Sequence, residues 1–165
     1  MPTTYVLDQA ARPSPVATEI LDRQPPCSPA AETGVLGSML LLPDVCDEVA
    51  LILRAEDFYD EANRKLYEHV SAMHDAGRKI DVTLLVERLQ ANNDLEAIGG
   101  AVYLEEVFNS VANAAHAKYY AEIVRDKATL RSLISTSTEI LRGAYEETDD
   151  ANELLNQSEQ KIYSI

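Results

Sequence analysis

Carboxylates, histidines, cysteines and tyrosines are the side chains of this sequence that could do chemistry, and their spacing argues against most of it. Asp44, Asp47 and Glu48 sit close enough to serve as acid and base or as magnesium ligands, but carboxylates at a helix start commonly complement the helix dipole, and that is the expectation here. His69 and His74 are five residues apart, off a common helical face, and His116 lies far along the chain, so no metal site is expected. Cys27 and Cys46 are too few for a disulfide framework and lack a second Cys or His pair at zinc spacing, so both read as free thiols. Ser28, Ser38 and Ser71 have no histidine and acid partners in sequence. Tyr59, Tyr67 and Tyr103 lack the interleaved basic residues of a base-stacking platform and read as core and rim side chains. No Gly-x-x-x-x-Gly-Lys-Ser/Thr loop occurs: neither Gly34 and Gly37 nor Gly99 and Gly100 is followed by the required lysine and hydroxyl. Without amides and a lysine around the phosphates a nucleotide has no evident home, and no catalytic, cofactor or metal residue is assigned.

Charge points the same way. The chain carries 28 acidic and 14 basic residues, a net charge of −14. Residues 29–112 contribute 16 acidic and 6 basic, residues 113–165 contribute 9 and 6, and residues 1–28 contribute 3 and 2. Nucleic-acid binding draws affinity from Lys and Arg neutralising phosphates, so an acidic surface opposes it, and an architectural, protein-binding role is expected. Acidity also keeps a helical domain soluble, which suffices for most individual carboxylates.

The elements that must position these residues are helices throughout, so the expected fold is all-α, a globular head of about five helices followed by a long helical hairpin. Residues 1–27 form a Pro-rich tail with Pro2, Pro13, Pro15, Pro25 and Pro26 and no helical or strand period, expected to be disordered; its alternative role is a docking peptide using Val16, Ile20 and Leu21. No apolar run approaches the roughly 18 residues that cross a bilayer, and no signal peptide is visible, so a cytoplasmic location is expected. The head, residues 28–112, opens with Ser28 as N-cap and Pro29 in the first turn. Gly34 and Gly37 cost helix stability, for which close approach by another helix is the compensation. Pro43 opens a second helix, with Val45, Val49, Ile52 and Leu53 inward. Asp60 caps a third, ended by Gly77, and Asp81 caps a fourth. Gly99 and Gly100 precede a short fifth bearing Tyr103, Leu104, Val107 and Phe108.

Residues 113–165 read as the hairpin. Its first helix, from Asn113 to Arg142, would be roughly 45 Å long at about 1.5 Å per residue, too long for a small domain to bury. Tyr120, Ile123, Leu130, Ile134 and Leu141 follow three- and four-residue steps, with Lys127 and Ser137 at polar positions of the same seam. A polar seam residue fixes register or partner choice at some cost in stability. The expected subunit interface is therefore Tyr120, Ile123, Lys127, Leu130, Ile134 and Leu141; the alternative is that Tyr120, Ile123 and Leu130 pack only on the head. Val124, Leu133 and Ile140 read as a second stripe for the returning helix. Gly143 and the acidic residues Glu146 and Glu147 mark the connection, and Asp149, Asp150 and Glu153 the next helix start, with Asp150 and Glu153 as a capping box. Leu154, Leu155, Ser158, Ile162 and Ile165 then recur on one face, and a domain boundary at Ile165 is expected.

Several strings together resemble a known family. Pro25, Pro26, Ala31 and Glu32 leading into Val35 to Leu40; Asp57, Phe58, Tyr59 followed by Arg64; Ile80, Asp81, Thr83 and Leu84; and Ile98, Gly99, Gly100, Tyr103 and Leu104 look like the N-terminal domain of the bacterial replicative DNA helicase, the DnaB family. Tyr120 to Arg125 (apart from Glu122), Arg131, Leu133 and Ile134, then Leu154, Leu155, Glu159 and Ile162 continue the match, which spans about Pro25 to Ile165. Cys27 and Ala112 depart from the family's usual polar residue and proline and put only the helix starts in doubt. The resemblance implies a collar domain whose hairpins pair between subunits of a hexamer and which docks primase. It also implies a separate motor, with the family's ATP and magnesium, that moves on single-stranded DNA. Two further readings stand beside it: the helicase-binding domain of a primase, and a free-standing helical regulator with a small-ligand pocket.

Overall fold

The computed structural model describes residues 23–146 and 150–165, and every regular element among them is helical. Residues 1–22 of the tail, with the candidate docking residues Val16, Ile20 and Leu21, lie outside the described residues, as do Glu147 and Asp149; of the stretch expected to be disordered, the described Pro26 is instead held to the long helix, its carbonyl accepting from Arg131. In chain order the helices are α1 (Pro29–Leu41), α2 (Cys46–Ala50), α3 (Glu61–Asp75), α4 (Val82–Ala91), α5 (Gly100–Phe108), α6 (Ala117–Glu146) and α7 (Ala151–Tyr163), with single 3-10 turns at Pro43–Val45 and Ala55–Asp57.

Helix α1 is the axis of the head. Its sequence is apolar on nearly all sides, and a helix of that kind has to be surrounded; Ala31, Val35, Leu36, Met39 and Leu40 are all buried, with α3, α5 and α6 packed around it. The two glycines of α1 mark the closest approaches. A Cβ on Gly37 would lie 2.5 Å from the Val107 carbonyl oxygen and 2.6 Å from Ser110 Oγ, and one on Gly34 would lie 2.9 Å from the Tyr120 ring. The expected compensation for glycine in a helix is thus present at both positions. Leu66, Val70, Leu85, Leu89, Ile98 and Leu104 complete the core from α3, α4, the following turn and α5.

Helix ends show where short-range signals hold. Asp60 Oδ1 accepts from the Ala62 and Asn63 amides, and Asp81 Oδ1 from the Leu84 amide, so both aspartates cap as expected. Ser28 and Asp150 stand at N-cap positions but make no side-chain cap hydrogen bond; the Ser28 carbonyl instead accepts from the Ala31 and Glu32 amides. The helix expected from Pro43 is a 3-10 turn that passes into α2, with Val49 and Leu53 buried and Val45 and Ile52 only partly so. The long helix begins at Ala117 rather than Asn113 and runs past Gly143 to Glu146, so Gly143 lies inside it. Gly143 serves the hairpin by absence of bulk: a Cβ there would lie 3.0 Å from Leu154 Cδ1 of α7.

Candidate subunit interface

Helix α6 divides along its length into a root embedded in the head and an arm that leaves it. The root is held by Ala117, Ala121, Val124 and Ala128, all buried. Their four-three-four spacing is itself a heptad seam, made of small residues because α1 and α6 run so close. Sequence reasoning passed over it, since alanine carries little weight in a search for large apolar side chains. Tyr120 belongs to this packing rather than standing free on the outer seam: it is partly buried against the core, its ring filling the slot that Gly34 leaves open.

Two arginines fasten α6 where it leaves the head. Arg125 Nη1 donates to Asp57 Oδ1 at 2.7 Å, while Asp57 Oδ2 accepts the Arg54 amide at 2.8 Å. Arg131 donates to the Pro26 carbonyl at 2.8 Å and to the Asp57 carbonyl, and its guanidinium lies 5.5 Å from the centre of the Tyr59 ring. The segment they grip is fixed from below. Glu32, buried on α1, accepts from the Tyr59 amide at 2.8 Å, the Asp60 amide at 3.3 Å and Asn63 Nδ2 at 2.9 Å, and Tyr103 donates to Asn63 Oδ1 at 2.6 Å. Burial, aided by the Asp60 and Glu32 charges, pushes the Tyr103 phenol up to about 12, so it remains a donor at any ordinary pH. Asp57, Arg125 and Arg131 carried the family resemblance in sequence, but nothing in their spacing announced that they would meet.

Alongside this clamp and beyond it an apolar stripe stays open to solvent. Ile123 is 41% exposed, Leu130 44%, Ile134 51% and Leu141 49%. At about 100° per residue the four fall within a band of roughly 40°, turned about 120° from the root face. Lys127 lies about 20° beyond the edge of this band, on the side nearer the root face, and is partly buried. The second stripe read from sequence does not exist as one face, because Val124 is buried against the head whereas Leu133 is exposed roughly half a turn away. The returning helix α7 packs along α6, with Lys161 Nζ 3.0 Å from Glu139 Oε2. Leu154, Ser158 and Ile165 are half-buried, while Leu155 and Ile162 are exposed instead of sharing that inner face.

The remaining candidates for chemistry are accounted for locally. His69 Nε2 lies 3.0 Å from Asp94 and its Nδ1 lies 3.2 Å from Arg88 Nε, so the ring, held from both sides, braces α3 against α4. His74 stands 3.7 Å from Asp47 and 3.9 Å from Asp75. Asp44, Asp47 and Glu48 line the first turns of neighbouring helices, and no group of three or more His, Cys, Asp or Glu among the described residues is arranged around a metal position. Burial raises the Cys46 thiol to about 11, so it stays protonated and inert. Tyr67 donates to the Leu53 carbonyl at 2.9 Å from within the core. A cleft of about 610 Å³ lies between head and hairpin, but Arg125, Asp57, Lys161 and Glu139 on its walls are already paired with one another.

Residues 24–126 match the family model described as the DnaB-like helicase N-terminal domain. Among curated proteins the chain is 38% identical over 144 residues to a replicative DNA helicase DnaB of Geobacillus stearothermophilus, covering 87% of this chain and 32% of that protein. It is 36% identical over 150 residues to the DnaB of Mycobacterium leprae, covering 90% of this chain and 25% of that one. The chain therefore spans a third or less of the length of these relatives. Among solved structures, the crystal structure of the N-terminal domain of DnaB helicase from Mycobacterium tuberculosis is matched over 86% of this chain and 100% of that one, with 36% identity and a TM-score of 0.82. A DnaB-like replicative helicase described with its interactions with primase shares the fold at a TM-score of 0.69 and 24% identity, over 84% of this chain and 31% of that chain.

Proposed function

The chain belongs to the family of DnaB-like helicase N-terminal domains, and from that membership we propose that it is the collar portion of a hexameric replicative helicase, pairing subunits through its hairpin. The observation that carries this reading is the open stripe of Ile123, Leu130, Ile134 and Leu141 on a helix whose root is already buried in its own head along a different face. Covering the exposed half of each such side chain is worth roughly 1 kcal/mol, and two copies bring eight of them together. That gain is of the same order as the ~4–15 kcal/mol lost to association, so pairing of this piece is reversible and concentration-dependent.

The family match favours a helicase over the helicase-binding domain of a primase, and the paired charges of the head-hairpin cleft leave little to support a free-standing ligand-binding regulator. ATP hydrolysis with its magnesium, and movement along single-stranded DNA, are assigned to a motor portion that this sequence does not include. Primase is the proposed docking partner, by analogy with the structural neighbour described with it, and no contact residue is assigned. No helix among the described residues is long and apolar enough to cross a membrane, and action in the cytoplasm is part of the same proposal.

Light scattering over a range of concentrations tests the pairing. The unaltered chain is expected to rise in mass with concentration, and Ile134→Glu to stay monomeric with its helical circular dichroism intact. A chain that remains monomeric throughout, or an Ile134→Glu variant that unfolds, would overturn the reading, the second because it would make Ile134 core.

A further inference from the structure

The turn that ends α3 carries two cations that the fold does not use. Gly77 takes a positive φ of 62°, its amide donates to the His74 carbonyl at 2.9 Å and the Arg78 amide to the Met73 carbonyl at 2.9 Å, so the chain doubles back over the helix end and brings Arg78 and Lys79 beside α4. With Leu84, Arg88 and Ala91 of α4, which share one helical face at four- and three-residue steps, they line a groove of about 330 Å³ floored by the buried Met73. Leu84 is 39% exposed there, an apolar surface left uncovered between the cations. Three of the six basic residues of 29–112 lie on this one groove. Arg64 and Lys65 are paired elsewhere with Glu61 and Asp94, and Arg88 braces His69. Arg78 and Lys79 are exposed and neither is paired with a carboxylate among the described residues, in a chain with 28 acidic side chains against 14 basic.

We infer that this groove docks a short acidic segment of a partner protein, its carboxylates on Arg78 and Lys79 and an apolar side chain laid on Leu84 and Ala91. Charge complementarity selects the occupant. Residues 29–112 carry 16 acidic side chains, so an anionic segment is repelled by most of the head and drawn to the one place where the cations gather. A cation near a helix C-terminus also complements the dipole, which accounts for Arg88 in the last turn of α4 but not for the uncovered leucine beside it. A nucleic-acid strand suits the groove less well. Leu84 and Ala91 offer nothing to phosphate, and Glu87 stands on the wall. The face from Leu84 to Ala91 is only about 10 Å long, so the phosphates beyond it would meet acidic surface.

The experiment follows the anisotropy of a fluorescein-labelled peptide of aspartate and glutamate with two leucines as the 165-residue chain is added at about 0.05 M salt. Saturable binding is expected, weakened about fivefold by Leu84→Ala or by serine in place of the peptide's leucines. Arg78→Glu with Lys79→Glu, checked for intact helical circular dichroism, should weaken it by about tenfold or more. Absence of saturable binding would overturn the inference, and so would equal binding of the serine peptide, which would reduce the site to simple charge attraction. The serine peptide is read on the unaltered chain, so this arm decides even where a variant fails to fold. A single-stranded oligonucleotide that displaces the peptide at equal or lower concentration would make the groove a phosphate site and overturn it. Tighter peptide binding after removal of residues 1–22 would make the occupant the chain's own tail, and loss of self-association on the double charge reversal would make it a second copy; either result overturns the inference. Ile134→Glu is expected to bind the peptide as the unaltered chain does, so failure of the pairing proposed above leaves this outcome separate.

Discussion

Glu32 is a carboxylate held almost out of water, and it is tolerable there because its oxygens accept two backbone amides and the Asn63 side chain. Among the described residues no buried side-chain nitrogen or oxygen is without a partner. The signal for this network was faint in sequence: one acid inside an otherwise apolar helix. Asp94 is a second fixed point and a testable one. The Lys65 ammonium at 2.6 Å, then the His69 ring at 3.0 Å, hold its carboxyl below its ordinary value of 3.8. Because the folded value is the lower, its stabilisation is complete above about pH 4 and is lost as pH falls through the folded value. Asp94→Asn should lower the urea midpoint at pH 7, and the difference from the unaltered chain should shrink as the pH falls below the ordinary carboxyl value of 3.8. An equal difference at both ends of that range would refute the ion-pair account. Hydrogen bonds of this kind join residues 25 to 31 positions apart, a separation over which spacing carries no message.

Helix existence was legible because apolar periodicity and Asp60, Asp81 and the glycine pair are local signals. Which face of α6 meets what was not. A heptad search ranks Ile, Leu and Tyr above Ala, yet the head contact uses Ala117, Ala121 and Ala128, and Tyr120 was drawn into it by Gly34. The two glycines of α1 differ in a way that yields a prediction. A methyl on Gly37 strikes a backbone carbonyl at 2.5 Å, which cannot retreat without moving α5, whereas a methyl on Gly34 meets the ring of Tyr120, a side chain that can turn. Gly37→Ala should therefore destabilise by about 1–3 kcal/mol through overpacking. Gly34→Ala should fall within about 1 kcal/mol of the unaltered chain, because the gain in helix propensity, up to about 1 kcal/mol, offsets the ring's displacement. Thermal unfolding of the two variants decides it; equal losses would mean the α1–α6 contact is as rigid as the α1–α5 contact.

At the scale of the whole molecule, net charge and architecture agree. A chain at −14 repels a phosphate backbone over most of its surface. Anisotropy of a labelled single strand at about 0.15 M salt is expected to show no saturable binding to this piece, and a steep salt dependence of binding would contradict the assignment of DNA contact to a separate motor. The sequence by itself determined the all-helical class, the long arm, the helix caps at Asp60 and Asp81 and the family to which the chain belongs, all of which are written in local periodicity or in the order of short motifs. The tertiary structure alone decided that α6 has two faces, one sunk in its own head and one left open, and that Asp57, Arg125 and Arg131 clamp it between them. That division follows from geometry: a periodic pattern reports that a helical face is apolar, but only the packed chain shows which neighbour covers it.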